Sequence, residues 1–320
     1  MAFPGTGKIW MNGRLVEWKD ATIHIASHIV HYGSGVFEGA RCYDTVRGPA
    51  SFRLDAHLRR LLDSARIYRM DPPYDLHALT EATLQVIRVN GFNACYIRPL
   101  IYRGYDSLGV NPLPCPVEVA IMVWEWPAYF SKEAVEEGID VKIATWARNA
   151  PNTTPAMAKS VANYANAQLI KLEAIAEGYA EGIALDTQGN LSEGSGQNVF
   201  VVRDRVIYTP PIGNSVLVGI TRDSVITIAR DLGFEVREQT LPREILYIAD
   251  EVFFVGTAVE VTPIKTVDRV TIGPGRRGPV TQAIQQRFFA IVKGEAPDPY
   301  GWLQYVHAPE AATSGTAKRR

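Results

Sequence analysis

Two periodicities alternate along the chain. Apolar residues recur at helical spacing over 56–68 and 76–89, the first stopped by Asp71-Pro72-Pro73 and the second by Asn90-Gly91. The same spacing predicts helices over 160–177, closed by Gly178, over 221–232, closed by Gly233, and over 282–292. Strand-like runs fall at 36–43, 51–54, 95–102, 117–126, 139–146, 182–185, 197–202, 206–207, 251–255 and 259–267. Asn12-Gly13, set between the apolar runs of 9–18, predicts a tight hairpin. Residues 104–109 and the proline-rich stretch behind them form a long loop, of the kind that often carries function.

Helices and strands mix without a regular βαβ rhythm, and no repeat is present, so a mixed α/β (α+β) fold is expected. The 320 residues suit two domains. We place them at 1–126 and 139–306, joined by a connector at 127–138 and followed by a small, polar tail at 307–320 expected to be disordered.

Charge and composition narrow the function. Lys plus Arg is 33 and Asp plus Glu 34, a balance unlike that of a protein held to nucleic acid by charge. The longest apolar run, 117–126, is broken by Glu118 and Glu125 and falls short of the ~20 residues of a membrane span. Residues 1–8 lack the apolar core of a secretory signal. The three cysteines form no CxxC, which favours neither a disulfide framework nor a cysteine zinc site and points to the cytoplasm.

Four clusters carry candidate chemistry. Lys159 stands among small and apolar residues with no other charge nearby, where an amine is more easily held neutral and can attack a carbonyl to form a Schiff base. Tyr164 follows at i+5. Glu193 lies between small residues in Ser192-Glu193-Gly194-Ser195-Gly196, placed to hold the proton on a pyridine nitrogen that acts as an electron sink. Gly219-Ile220-Thr221 opens a helix, and Gly256-Thr257-Ala258 turns between strands; both offer free N–H groups to an anion. Without a Walker or dinucleotide glycine fingerprint, an isolated phosphate fits better than a nucleotide. Period-two spacing puts Phe37, Gly39 and Arg41 on one strand face and Tyr96 and Arg98 on another, a setting for a carboxylate. Each cluster has a plain alternative: a surface lysine, a polar turn, ordinary capping by Thr221, and a solvent-facing strand side. His24, His28 and His31 would share a helix face as metal ligands, but alternation over 22–26 reads as strand, and no metal is expected.

As a set, these motifs resemble the fold-type IV pyridoxal-phosphate aminotransferases, most closely the branched-chain amino-acid aminotransferases. The match runs from about residue 9 to 306 and includes His31-Tyr32-Gly33, Phe37-Glu38-Gly39, Tyr96-Ile97-Arg98-Pro99, Gly109-Val110-Asn111-Pro112 and Asn163-Tyr164. The resemblance implies a two-domain fold with pyridoxal 5'-phosphate at the domain interface. It implies that Lys159 carries the cofactor and moves the substrate Cα proton, that Tyr164 bonds the cofactor phenolate oxygen and that Glu193 holds the ring nitrogen. Arg59, Gly196, Ile220, Thr221 and Thr257 would complete cofactor binding, with Arg59 on the phosphate. The substrate carboxylate would meet Tyr96, Thr257 and Ala258. Phe37, Tyr164, Trp126 and Tyr129 would form an apolar pocket, joined by Tyr32 and Val110 from a partner subunit, with Gly39 and Arg41 also at the substrate site and Arg98 for the distal carboxylate of glutamate. The implied reaction moves the amino group of L-leucine, L-isoleucine or L-valine to 2-oxoglutarate in a homodimer or larger homo-oligomer. Sister enzymes that act on D-amino acids, R-amines or aminodeoxychorismate share the lysine, glutamate and phosphate motifs. One departure is Val218, where many relatives carry proline.

Overall fold

The computed structural model describes residues 5–126 and 129–307. Pro127 and Ala128 of the expected connector, and the expected tail beyond His307, lie outside the described residues.

Asn12 and Gly13 turn the chain with φ of 49° and 87°, the left-handed pair that a two-residue hairpin needs. They join β1 (Lys8–Met11) to β2 (Arg14–Glu17). Next come α1 (His28–Tyr32), β3 (Gly35–Phe37), β4 (Ala40–Thr45), β5 (Gly48–Phe52), α2 (Leu54–Ile67), α3 (Leu76–Asn90), β6 (Cys95–Arg103) and β7 (Val117–Trp124). The second half begins with α4 (Lys132–Glu137), β8 (Ile139–Ile143), α5 (Asn163–Ala176), β9 (Glu181–Leu185), β10 (Leu191–Gly194), β11 (Asn198–Arg203) and β12 (Val206–Thr209). It continues with α6 (Ile220–Asp231), β13 (Val236–Glu238), β14 (Glu251–Gly256), β15 (Glu260–Val267), β16 (Val270–Thr271), α7 (Pro279–Val292) and β17 (Leu303–Tyr305).

Two sheets result. The first has the order β17-β5-β4-β6-β7-β1-β2, with β3 also on β6; the second runs β10-β9-β8-β15-β14-β11-β12-β13, with β16 on β15. β17 departs from the expected partition: it pairs antiparallel with β5, so the end of the 139–306 segment belongs to the first sheet.

Helix α2 shows how sequence phase sets burial. Leu54, Leu58, Leu61 and Ala65 form its buried stripe against the first sheet, with Leu79 and Ile87 of α3. Each fully buried leucine or isoleucine among them contributes on the order of 1.5–3 kcal/mol. In the second half, Phe200 and Phe253 stack at 5.1 Å beneath Ile284 and Phe288 of α7, while Val199, Phe254 and Leu246 fill the opposite face.

The expected strand over 36–43 is in fact two strands, broken at Glu38-Gly39. The Glu38 N–H turns to Pro99 O at 2.9 Å, and a Cβ on Gly39 would collide with the Tyr96 hydroxyl. The alternation of side chains is lost at the break, which parts Arg41 from Phe37 and Gly39. Among the described residues, no helix is long and apolar enough to cross a membrane.

Candidate active site

A cavity of about 350 Å³ opens between the two sheets. Lys159 enters it from a segment that pairs with β3: Ser160 bridges Val36, and the Phe37 N–H donates to Lys159 O at 3.0 Å. That pairing uses Ser160 and Val161, so α5 starts at Asn163, three residues later than expected. The Lys159 Nζ donates to the Tyr164 hydroxyl at 2.6 Å and lies 5.1 Å from the Phe37 ring centroid. The Lys159 N–H is held by Ser64 Oγ of α2 at 3.1 Å. Lysine and tyrosine therefore meet inside the cavity.

Glu193 lies on β10, a strand not distinguished in the sequence from a polar turn. Arg148 Nη2 is 3.0 Å from its Oε1; the Asn198 side-chain amide and the Leu217 N–H donate to Oε2 at 3.1 and 3.0 Å. Burial pushes the carboxyl above its ordinary value, against the Arg148 charge, the Leu217 N–H and the more distant Lys159.

Ile220 and Thr221 open α6 at the cavity wall, where helix-start N–H groups lack carbonyl partners within the helix. Gly219, Gly256 and Thr257 border the same region. Gly219 is required by space, because a Cβ would collide with the Asn198 side chain.

The arginine of this cradle is Arg60, which corrects the expectation for Arg59. Asp55, Arg59, Asp63 and Arg66 form the exposed stripe of α2, whereas His57, Arg60, Leu61 and Ser64 face inward or partly inward. Arg60 lines the cavity and donates from Nε and Nη2 to Glu38 Oε1 and Oε2 at 2.6 and 2.9 Å, and from Nη1 to Val218 O at 2.6 Å. His57 Nδ1 is 2.8 Å from Glu38 Oε2. Burial disfavours the Glu38 anion, but the Arg60 charge and the His57 hydrogen bond outweigh it and hold the carboxyl far below the usual carboxylate range. Burial pushes His57 down, so the pair is a carboxylate with a neutral imidazole protonated at Nδ1.

On the opposite side lie Tyr96, Arg98 and Trp126. The Arg98 guanidinium carbon sits 4.7 Å from the Phe37 ring centroid and 5.4 Å from that of Tyr96. Arg98 Nε and Trp126 Nε1 are buried without hydrogen-bond partners among the described residues. Tyr129 and Ala258 also reach the cavity wall, as does Gly196. Arg41 is not part of the wall: its Nη2 donates to Ala258 O at 2.9 Å, and with Glu260 it braces the 256–258 turn from behind. Tyr32 and Val110 do not line the cavity of their own chain; they are 45% and 90% exposed.

The three histidines do not converge. Residues 22–26 form no strand, and His24 Nδ1 accepts from the Ala26 N–H. Both His28 ring nitrogens are engaged, with Ser34 Oγ and Gly109 O, and His31 Nε2 is 3.0 Å from Ile25 O. Sequence reasoning passed over Glu38 as a partner, His57, Arg148 and Asn198. The phase of α2 signalled His57 and Arg60; nothing local marked Arg148.

The amino-transferase class IV family model matches residues 35–267. A branched-chain-amino-acid aminotransferase of Salmonella typhimurium is 50% identical over 301 residues, 94% of this chain and 97% of that protein. The crystal structure of the Escherichia coli branched-chain amino acid aminotransferase superposes with a TM-score of 0.93 at 50% identity, over 94% of this chain and 100% of that one. The T.th. branched-chain amino acid aminotransferase was solved with pyridoxamine 5'-phosphate at a TM-score of 0.92 and 48% identity, and with N-(5'-phosphopyridoxyl)-L-glutamate at 0.91 and 47%. It was also solved with 4-methylvaleric acid at 0.90 and 46%; all three cover 94% of this chain and 99% of that one. This chain belongs to the class IV aminotransferases.

Proposed function

We propose that the protein is a pyridoxal 5'-phosphate-dependent aminotransferase that moves the amino group of L-leucine, L-isoleucine or L-valine to 2-oxoglutarate, reversibly, giving L-glutamate. It acts as a homodimer or larger homo-oligomer in the cytoplasm. The observation that carries this reading is one cavity holding the Lys159–Tyr164 pair, the buried Glu193 carboxylate and Arg98, whose Nε has no hydrogen-bond partner among the described residues. The relatives' branched-chain activity and bound pyridoxyl compounds support the same assignment.

The residues present suit this cofactor. Arg60, the α6 start and Thr257 would hold its phosphate, Tyr164 its phenolate oxygen, Glu193 its ring nitrogen and Lys159 its carbonyl carbon. When bound, it supplies a protonated pyridine that delocalises the electron pair left by a broken Cα–H bond. Lys159 Nζ takes that proton and returns it, steered by the Tyr164 hydroxyl. Glu193 keeps the ring nitrogen charged from a buried position. Phe37, Trp126 and Tyr164 give the side chain an apolar wall, and Arg98 receives the distal carboxylate when glutamate takes its turn. One methylene changes binding by only ~1–3 kcal/mol, so all three branched substrates are accepted.

The test is turnover of the purified protein with 2-oxoglutarate and each of L-leucine, L-valine, D-alanine and an R-amine. The reading expects activity with the first two. Activity with only D-alanine or the amine would move the protein to a sister group.

A further inference from the structure

We propose that Glu38, braced by His57, is a positioning residue for cofactor binding: it fixes the Arg60 guanidinium so that its free N–H groups face the phosphate cradle. The inference rests on the cofactor assignment above. It is carried by donor accounting. A guanidinium has five N–H groups. The Nε–H and one Nη2–H are spent on the two Glu38 oxygens, and one Nη1–H on Val218 O. One N–H remains on each of Nη1 and Nη2, donors still open to a phosphate. Val218 is one residue before Gly219, the cap of α6, so the same bond ties Arg60 to the helix start that borders the cavity.

Glu38 can serve this purpose because it cannot move. It is fully buried at the break between β3 and β4, its N–H is held by Pro99 O, and its Oε2 also accepts from the Gly39 N–H at 3.2 Å. His57 stands one helical turn from Arg60 on α2 and donates from Nδ1 to the same Oε2. The three side chains therefore lock one another, and Arg60 meets its ligand with its rotamer entropy already spent. The Glu38 charge also offsets that of Arg60. Recognition of the dianion then depends on oriented N–H groups more than on net positive charge.

Glu38→Gln keeps the shape and removes the charge and one acceptor. The full chain, stripped of cofactor, is titrated with pyridoxal 5'-phosphate and separately with pyridoxal, following quenching of tryptophan fluorescence. The proposal expects roughly tenfold or greater loss of affinity for pyridoxal 5'-phosphate. Affinity for pyridoxal, which has no phosphate, should stay within about twofold, inside the usual margin for a change that touches none of its contacts. Equal loss for both ligands, or loss for neither, would overturn it. If Glu38→Gln does not fold, the pair Arg60→Met and Glu38→Gln/Arg60→Met decides, since the double variant leaves no orphan charge. The two should bind pyridoxal 5'-phosphate alike, and a further loss on adding Glu38→Gln would show that Glu38 acts otherwise than through Arg60. A wild-type protein that takes up neither ligand would refute the cofactor assignment itself, and this proposal with it.

Discussion

The main chain of Lys159 is fixed by bonds to β3 and to Ser64, whereas its amine contacts only the site. Removing the side chain should therefore separate chemistry from folding. Lys159→Ala is expected to abolish amino transfer while the unfolding midpoint stays within a few degrees of wild type, measured by parallel turnover and thermal melts. The reactive types were legible at this scale because lysine, tyrosine and glutamate in small-residue settings limit the chemistry available. The cradle arginine was not, since Arg59 and Arg60 are adjacent and only helix phase parts them. Arg59→Ala should leave turnover unchanged and stability within about 0.5 kcal/mol, as expected of an exposed position.

The Glu38–His57 pair also predicts a pH response. Both groups are held below their ordinary values in the fold. The unfolded chain therefore binds more protons than the native one as pH drops, and stability falls with it. The loss begins near the ordinary histidine value of 6.5 and deepens through the carboxylate range near 4.5. Unfolding free energies from about pH 8 to 5 should decline less steeply in His57→Gln than in wild type. Equal slopes would show that His57 takes no part.

At the scale of elements, helix and strand centres were legible and the interruptions were not. The leucine phase of α2 and the Asn12-Gly13 turn follow from local sequence. The break at Glu38-Gly39 and the late start of α5 depend on distant partners, Pro99 and Tyr96 in one case and β3 in the other. No period within 36–43 or 160–177 reports them. The break does local work: it lets Phe37 line the cavity while Glu38 turns inward toward α2. Gly39→Ala would push a methyl into the Tyr96 hydroxyl, displacing both strands. We expect a stability loss of about 1–3 kcal/mol and weaker substrate binding, read from denaturant unfolding and from KM.

For the whole molecule, the mixture of helices and strands was legible, but the return of β17 to β5 was not, because three residues carry too little pattern. That strand ties Leu303–Tyr305 to the first sheet, and Phe52 of β5 packs on Phe288 of α7 and on Trp302. Ile25, Leu108, Val110 and Leu113 are exposed apolar side chains. Sedimentation should show a dimer or larger species, and Val110→Asp should shift it toward monomer with loss of turnover. A fully active wild-type monomer would contradict the proposed sharing of Tyr32 and Val110 between subunits.

Lys159, Tyr164 and Glu193 are proposed to hold pyridoxal 5'-phosphate for amino transfer from branched-chain L-amino acids. The most direct measurement is the visible absorption of the loaded protein before and after L-leucine, with D-alanine as the control. The account predicts a coloured protein that L-leucine bleaches, that 2-oxoglutarate restores and that D-alanine leaves unchanged. A protein that stays colourless with added pyridoxal 5'-phosphate, or one bleached by D-alanine and not by L-leucine, would contradict it.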